Sequence, residues 1–281
     1  MKGAARVRVG DVEIEYDEAG RGARPLVLVH GFTGSRDDFR DVLDDLAREG
    51  RTIAPDQRGH GGSTNTGDAA SYTLSRLAAD LAGFLDALGI ERCDLLGHSM
   101  GGMVALRLAL AQPERLASLV LMDTAPGPID GVPKAVREAG AKIAREQGMA
   151  VLARLLRANA EGDPKLPTSM RRAIASAGPD RFFERIERKL LAMDPEAFAA
   201  LASELFEQES IEPRLGELRC ATTVLVGSED VSLVAPSERM AAAIPGARLA
   251  VIPDAAHSPQ TEHREAWLAA ILSHLAWTRG R

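Results

Sequence analysis

The stretch Cys93-Asp94-Leu95-Leu96-Gly97-His98-Ser99-Met100-Gly101-Gly102 sets the tightest limit on what this chain can become. An apolar run enters a glycine-rich corner and leaves it as a helix-patterned segment, residues 100–111, that stops near Pro113. A corner of the form G-x-S-x-G needs residues without side chains two positions either side of the serine, so that strand and helix can approach. The serine itself takes strained backbone angles and is held out at the carboxyl end of its strand. The amide of Met100 then opens a helix, where it favours developing negative charge. Glycines here are more than turn punctuation: between a strand and a helix, this pattern points to nucleophilic catalysis.

The flanking sequence supplies the strands and helices such a corner requires. Strand-like residues 7–9 and 12–16 flank a Gly10-Asp11 turn. Residues 25–29 form a continuous apolar run ending in His30-Gly31, suited to a strand buried on both faces. A helix over 37–49, a strand over 51–56, an amphipathic helix with its stripe from Leu74 to Leu88, and strands over 93–96 and 116–122 follow. This alternation predicts a parallel sheet with helices on both faces.

From 125 to 216 no β-branched run occurs, and the segment is rich in Ala, Arg, Glu and Leu at helical spacing. Beyond it, strands over 222–226 and 247–252 alternate with helices over 236–244 and 261–277. The expected organisation is one core, residues 1–124 and 217–281, interrupted by a helical cap over 125–216. Leu155, Phe182, Phe183, Leu190, Met193 and Phe198 of the cap point to a mainly apolar pocket.

A serine hydroxyl is a weak nucleophile and needs a base oriented by a third group. Among the six histidines, His257 lies in a short loop after strand 247–252, where parallel sheets gather ligands and catalysts. The orienting acid belongs one strand earlier, and Asp230 stands there; Glu229 beside it and Asp123 after strand 116–122 are the alternatives. His98, His30 and His60 read as packing or loop-shaping residues, and His263 and His274 as surface or core positions on the last helix. No histidine and cysteine cluster has metal-ligand spacing, so neither a metal nor another cofactor is expected.

A net charge of −6 argues against nucleic acid, whose phosphates require clustered cations. Arg181, Arg185, Arg188 and Lys189 alternate with Glu184 and Glu187 and read as a solvated helix face. Arg154, Arg157, Arg171 and Arg172 read the same way, with an acidic substrate as the competing use. No apolar run approaches a bilayer span, and the N-terminal stretch has no apolar leader core. Cys93 and Cys220 are expected as buried free thiols, which places the protein in a reducing cytoplasm.

Several motifs together are similar to those of the α/β-hydrolases, in their capped, esterase-like branch. They are His30-Gly31-Phe32-Thr33-Gly34-Ser35, Asp56-Gln57-Arg58-Gly59-His60-Gly61-Gly62-Ser63, Gly97-His98-Ser99-Met100-Gly101-Gly102, Asp230 and His257, in that order over nearly the whole chain. The resemblance implies a mostly parallel eight-stranded sheet, an oxyanion hole made by the amides of Phe32 and Met100, and a lid formed by the inserted helices. Ser99 stands where epoxide hydrolases and haloalkane dehalogenases carry a carboxylate, and Tyr16 and Tyr72 both lie outside the insertion. Met100 replaces the tryptophan that related aminopeptidases place beside the serine. Trp267 and Trp277 lie on the last helix, away from where carbon–carbon bond hydrolases and the menaquinone-pathway lyase use a tryptophan near the pocket. The expected activity is hydrolysis of a small, mainly apolar carboxylic ester. A lactonase or carbon–carbon bond hydrolase with the same triad, and a low-turnover ligand-binding homologue, are the alternatives.

Overall fold

The computed structural model describes residues 4–129, 131–161 and 163–280; the outermost residues of the expected core, 1–3 and 281, lie outside them. Eight strands form one sheet: β1 (Ala5–Val9), β2 (Val12–Ala19), β3 (Leu26–Val29), β4 (Thr52–Pro55), β5 (Cys93–His98), β6 (Leu116–Met122), β7 (Ala221–Gly227) and β8 (Arg248–Ile252). Their spatial order is β1-β2-β4-β3-β5-β6-β7-β8. β2 pairs antiparallel with β1 and β4, and every later pairing is parallel. All residues of β3, β4 and β5 are buried. That explains their unbroken apolar character: a strand covered on both faces has no solvent side to alternate toward.

The helices are α1 (Arg40–Leu46), α2 (Leu74–Ala87), α3 (Met100–Ala111), α4 (Lys134–Gln147), α5 (Met149–Glu161), α6 (Thr168–Ala177), α7 (Pro179–Leu191), α8 (Pro195–Glu207), α9 (Val234–Ala243), α10 (Pro259–Glu262) and α11 (Arg264–Arg279). One face of the sheet packs on a cluster that includes Phe39, Val42 and Leu46 around α1 and Trp267, Ile271 and Leu275 of α11. The Trp267 indole N–H finds Met122 Sδ at 2.9 Å, so the largest buried ring leaves no polar atom stranded. The other face packs on α2 and α3 and is continuous with buried residues of α5 and α8. Helices α4–α8 all fall between β6 and β7. Among the described residues no helix is long and apolar enough to cross a membrane.

Some boundaries differ from the sequence expectation. The helix expected over 37–49 is a 3₁₀ turn, Arg36–Phe39, followed by α1. The last helix is broken at His263, whose side chain accepts a hydrogen bond from the Ala266 amide and caps α11. Cys93 is buried and Cys220 only partly so, because Cys220 precedes β7 instead of lying within it; both are free.

The corner between β5 and α3 is as tight as its glycines imply. A Cβ on Gly97 would lie 2.4 Å from the Gly101 carbonyl oxygen, and one on Gly101 would lie 2.3 Å from that of Val29 in β3. Both obstacles are backbone, so neither can swing aside. Replacing Gly101 by alanine is therefore expected to push α3 off the sheet at a cost of about 1–3 kcal/mol, the usual range for overpacking. Urea unfolding measures this, and an unchanged midpoint would show that the helix has room to spare.

Candidate active site

Ser99 occupies the turn between β5 and α3 with φ 53 and ψ −118, a left-handed conformation that burdens any residue with a side chain. Its amide donates to the Met122 carbonyl of β6 (2.8 Å), and its own carbonyl accepts from Gly102 N (2.9 Å) and Thr124 Oγ1 (2.7 Å). The strain is thus held in place by the strand next door. Met100 is the first residue of α3, so its amide is one of the helix's unpaired N-terminal donors.

The loop after β8 delivers His257 to the same point. Its Nε2 lies 3.0 Å from Ser99 Oγ, and its Nδ1–H donates to Asp230 Oδ2 at 2.6 Å. Asp230, in the loop after β7, also accepts from Ser232 Oγ at 3.0 Å. The structure therefore brings Ser99, His257 and Asp230 into one hydrogen-bonded chain. Glu229 faces away and accepts the Ser169 amide at the start of α6 (2.8 Å). Asp123 stands close to the group, but Asp230 is the carboxylate that His257 engages.

His257 is fixed through its backbone as well as its ring. Glu262 of α10 accepts from the amides on both sides of it, Ala256 at 2.6 Å and Ser258 at 3.0 Å. His98 Nε2–H donates to the His257 carbonyl at 2.7 Å. Sequence reasoning missed Glu262. Its signal is a carboxylate in the first turn of a short helix just after the histidine, placed to reach back to the preceding amides much as a capping box does.

The peptide joining Gly31 and Phe32 is also clamped. Its carbonyl accepts from His30 Nδ1–H (2.8 Å) and Gly34 N (3.1 Å), which fixes the opposite edge of the same peptide plane, the Phe32 N–H. His30 Nε2 in turn accepts from Gln57 N at 3.0 Å, so the proton sits on Nδ1. A Cβ on Gly31 would lie 3.1 Å from Ser99 Cβ, so this loop presses directly against the serine. His60 Nε2 is 2.6 Å from the Phe32 carbonyl and holds the following peptide.

Neighbouring charge separates the histidines. Burial pushes His30 down to about 3 and His98 down to about 4, since no carboxylate among the described residues is hydrogen-bonded to either ring. Burial opposes the charge of His257 too. However, the hydrogen bond and negative charge of Asp230 outweigh it and raise the ring above its ordinary 6.5. Burial also favours neutral Asp230, yet its hydrogen bond to His257 keeps its carboxyl below the usual range.

The inserted helices reach the core at several points. Phe198 of α8 stacks on Phe32 with ring centroids 5.1 Å apart. Asp194, just before α8, donates its amide to the Gly59 carbonyl (2.9 Å) and accepts from Tyr72 Oη (2.5 Å) and Gly67 N (2.8 Å). The charged face of α7 is not simply solvated, as its sequence implied. Arg185 pairs with Asp41 (2.7 Å), Arg188 with Asp37 (2.6 Å) and Lys189 with Asp38 (2.5 Å). Arg157 is bound by Glu161 and Asp180, Arg171 by the Pro164 carbonyl and Arg172 by that of Asp254, while Arg154 is exposed. Of the apolar residues expected around a pocket, Phe183, Leu190, Met193 and Phe198 are buried and Phe182 partly so. Leu155 is 44% exposed, on the outer side of α5.

Comparison with known proteins agrees with this architecture. A thermophilic esterase from Thermogutta terrifontis, solved with malate bound, superposes with a TM-score of 0.83 at 32% identity, covering 98% of this chain and 99% of the other. The enol-lactonase of Burkholderia xenovorans LB400 gives a TM-score of 0.83 at 25% identity, covering 97% and 100%. A 2-hydroxy-6-oxononadienedioate/2-hydroxy-6-oxononatrienedioate hydrolase from Paraburkholderia xenovorans is 31% identical over 279 residues, 95% of this chain and 92% of its own length. The family model described as alpha/beta hydrolase fold matches residues 24–264. With its eight-stranded sheet and strand-to-helix serine corner, the chain belongs to the α/β-hydrolase fold family and is a hydrolase of that fold.

Proposed function

We propose that this protein is a serine hydrolase of small, neutral, mainly apolar carboxylic esters, with Ser99 as nucleophile, His257 as base and Asp230 as orienting acid. The observation that carries the reading is the hydrogen-bonded chain from Ser99 Oγ through His257 to Asp230. In the proposed mechanism Ser99 Oγ attacks the acyl carbonyl while its proton passes to His257 Nε2. The amides of Phe32 and Met100 receive the oxyanion, the first fixed through the Gly31 carbonyl and the second by the start of α3. The protonated imidazole then gives its proton to the departing alkoxide, which leaves an acyl-serine. Water, deprotonated by the same nitrogen, attacks that ester; collapse releases the acid and restores Ser99.

The inserted helices serve as a cap over this centre, within residues 125–216. Phe198 against Phe32 supports an apolar wall beside the oxyanion loop. Most of the cap's guanidinium groups are held by the protein's own carboxylates and carbonyls, which supports a neutral substrate over an anionic one such as a dienedioate. A lactone is the second reading, favoured by the likeness to the enol-lactonase. Ring opening would use the same steps, with the leaving alkoxide still tethered to the acyl group. We place the protein in the cytoplasm, where the free thiols of Cys93 and Cys220 stay reduced.

Removing the nucleophile tests the assignment directly. Ser99→Ala is expected to lower kcat on a p-nitrophenyl ester by about six powers of ten, comparable to loss of a triad serine elsewhere. It should also abolish labelling by a fluorophosphonate, with little change in thermal stability; labelling that persists in the variant would exclude Ser99.

The pH profile follows from His257. Only the neutral ring accepts the serine proton, and Asp230 raises its pKa above 6.5. The rate is therefore expected to fall as pH drops through a value above 6.5, and Asp230→Asn should move that limb to lower pH while reducing kcat. Initial rates across the pH range measure both, and a limb below 6.5 in the native protein would contradict the geometry.

A further inference from the structure

Asp123 stands at the carboxyl end of β6, and none of the steps above uses it. It is completely buried and adopts φ 44, a left-handed backbone that aspartate and asparagine enter more readily than most side chains do. Its Oδ1 accepts the Gly227 amide at 2.9 Å. Its Oδ2 is buried and meets no donor. An oxygen of Asp123, an oxygen of Asp230 and a ring nitrogen of His257 all lie within 4.8 Å of one another.

Two carboxylates this close in a buried place do not both remain ionised, so one of them takes up a proton. The hydrogen-bond partners decide which one. Asp230 accepts from His257 Nδ1–H and from Ser232 Oγ, two donors that favour its anion. Asp123 has the single amide of Gly227. The negative charge therefore belongs on Asp230 and the proton on Asp123.

We propose that Asp123 is a neutral carboxylic acid whose Oδ2 proton is donated to Asp230, making it a positioning residue for the acid of the triad. This rests on the reading of Ser99, His257 and Asp230 given above. The proton resolves the orphaned atom: an ionised Oδ2 has nothing to accept from, whereas a protonated one has Asp230 to donate to. Burial raises the Asp123 carboxyl well above the ordinary carboxylate range, and its hydrogen bond in turn helps to keep Asp230 low.

The charged and titratable groups around it agree. Asp230 faces it from the loop after β7, His257 from the loop after β8, and the carboxylate of Glu262 from α10. His98 on β5 lies against the His257 ring, with centroids 5.1 Å apart, and is neutral. An ionised Asp123 would add another negative charge beside Asp230 and Glu262. It would also raise His257 further and leave the base protonated near neutrality. A neutral Asp123 fixes the plane of the Asp230 carboxylate without that penalty.

Two substitutions and one spectrum test this. Asparagine keeps an acceptor for Gly227 N and a donor for Asp230, and it tolerates positive φ. Asp123→Asn is therefore expected to keep kcat/KM on a p-nitrophenyl ester within about threefold, an energy below that of one hydrogen bond, and to leave the acid limb of the pH profile in place. Glycine suits the backbone but offers no donor. Asp123→Gly should lower kcat about tenfold to a hundredfold with little change in KM, the loss expected for a hydrogen bond to a charged group. It should also move the acid limb to higher pH, because an unassisted Asp230 holds the imidazolium proton more tightly.

Independently of turnover, infrared spectra above the range in which Asp56 titrates, at about 6, should contain a deuterium-sensitive carboxylic-acid carbonyl band that Asp123→Asn lacks. Absence of that band, or an acid limb that falls in Asp123→Asn as a negative charge is removed, would overturn the proposal. So would a folded Asp123→Gly with native kinetics. A band present in a protein whose Ser99 does not react with fluorophosphonate would instead count against the triad reading, which keeps the two failures apart.

Discussion

Parallel pairing makes neighbouring strands end on the same edge of the sheet, and every distance at this site depends on that. Val29 pairs with Gly97, Gly97 with Leu121, Met122 with Leu225 and Gly227 with Ile252. The loops that follow β5, β6, β7 and β8 consequently open side by side. Ser99, Asp123, Asp230 and His257 each fall within a few residues of a strand end, so residues 158 apart in sequence come within hydrogen-bonding distance. Slipping one strand by a residue would reverse which side chains face each side of the sheet. With both faces of these strands apolar, the register rests on how side chains of different size interlock with the helices above and below, so core packing is part of what positions the site.

Three histidines surround one serine, and only one is suited to act near neutral pH. His30 and His98 hold backbone carbonyls, and a neutral ring does that with a single N–H. Burial keeps them neutral well below physiological pH, so their hydrogen bonds to the peptide before Phe32 and to the backbone of His257 do not change as pH passes through the range in which the proposed mechanism needs His257 to exchange a proton. His257 differs because its partner is a carboxylate. Placing one charged acceptor beside one ring raises that ring alone, which separates the proposed base from two neutral rings of the same residue type.

Most of this was legible in the sequence where the physics is local. The glycines around Ser99 report a close backbone approach, and the unbroken apolar runs report strands covered on both faces. Asp230 and His257, which the structure brings into one hydrogen-bonded chain with Ser99, are legible as candidates because each closely follows a recognisable strand. What the sequence hid depends on contacts across the fold. Arg185, Arg188 and Lys189 look like any solvated helix face, since their partners Asp37, Asp38 and Asp41 lie about 150 residues away. Leu155 looks like a pocket residue because helical spacing identifies an apolar stripe but not what covers it. His263 broke the expected last helix through its own capping bond, which periodicity does not register.

The same contacts give the inserted helices unequal attachments. Around α8, Asp194 is buried with its hydrogen bonds satisfied, Leu201 is fully buried, and Phe198 lies on Phe32. Around α7, Phe183 and Leu190 are buried, but the outer edge is held by ion pairs in which Arg188 is 61% exposed and the Asp41 partner of Arg185 is 65% exposed. Pairs so open to water contribute about 0–1 kcal/mol each and weaken with salt, whereas a buried aromatic contact adds about 0.5–1.5 kcal/mol beyond its area. Lys189 with Asp38 is the exception, at 15% and 12% exposure. Local opening therefore costs less along the outer edge of α7 than at α8. The Gly31–Phe32 loop, which the proposed mechanism uses for the oxyanion, is packed against the firmer of the two through Phe32.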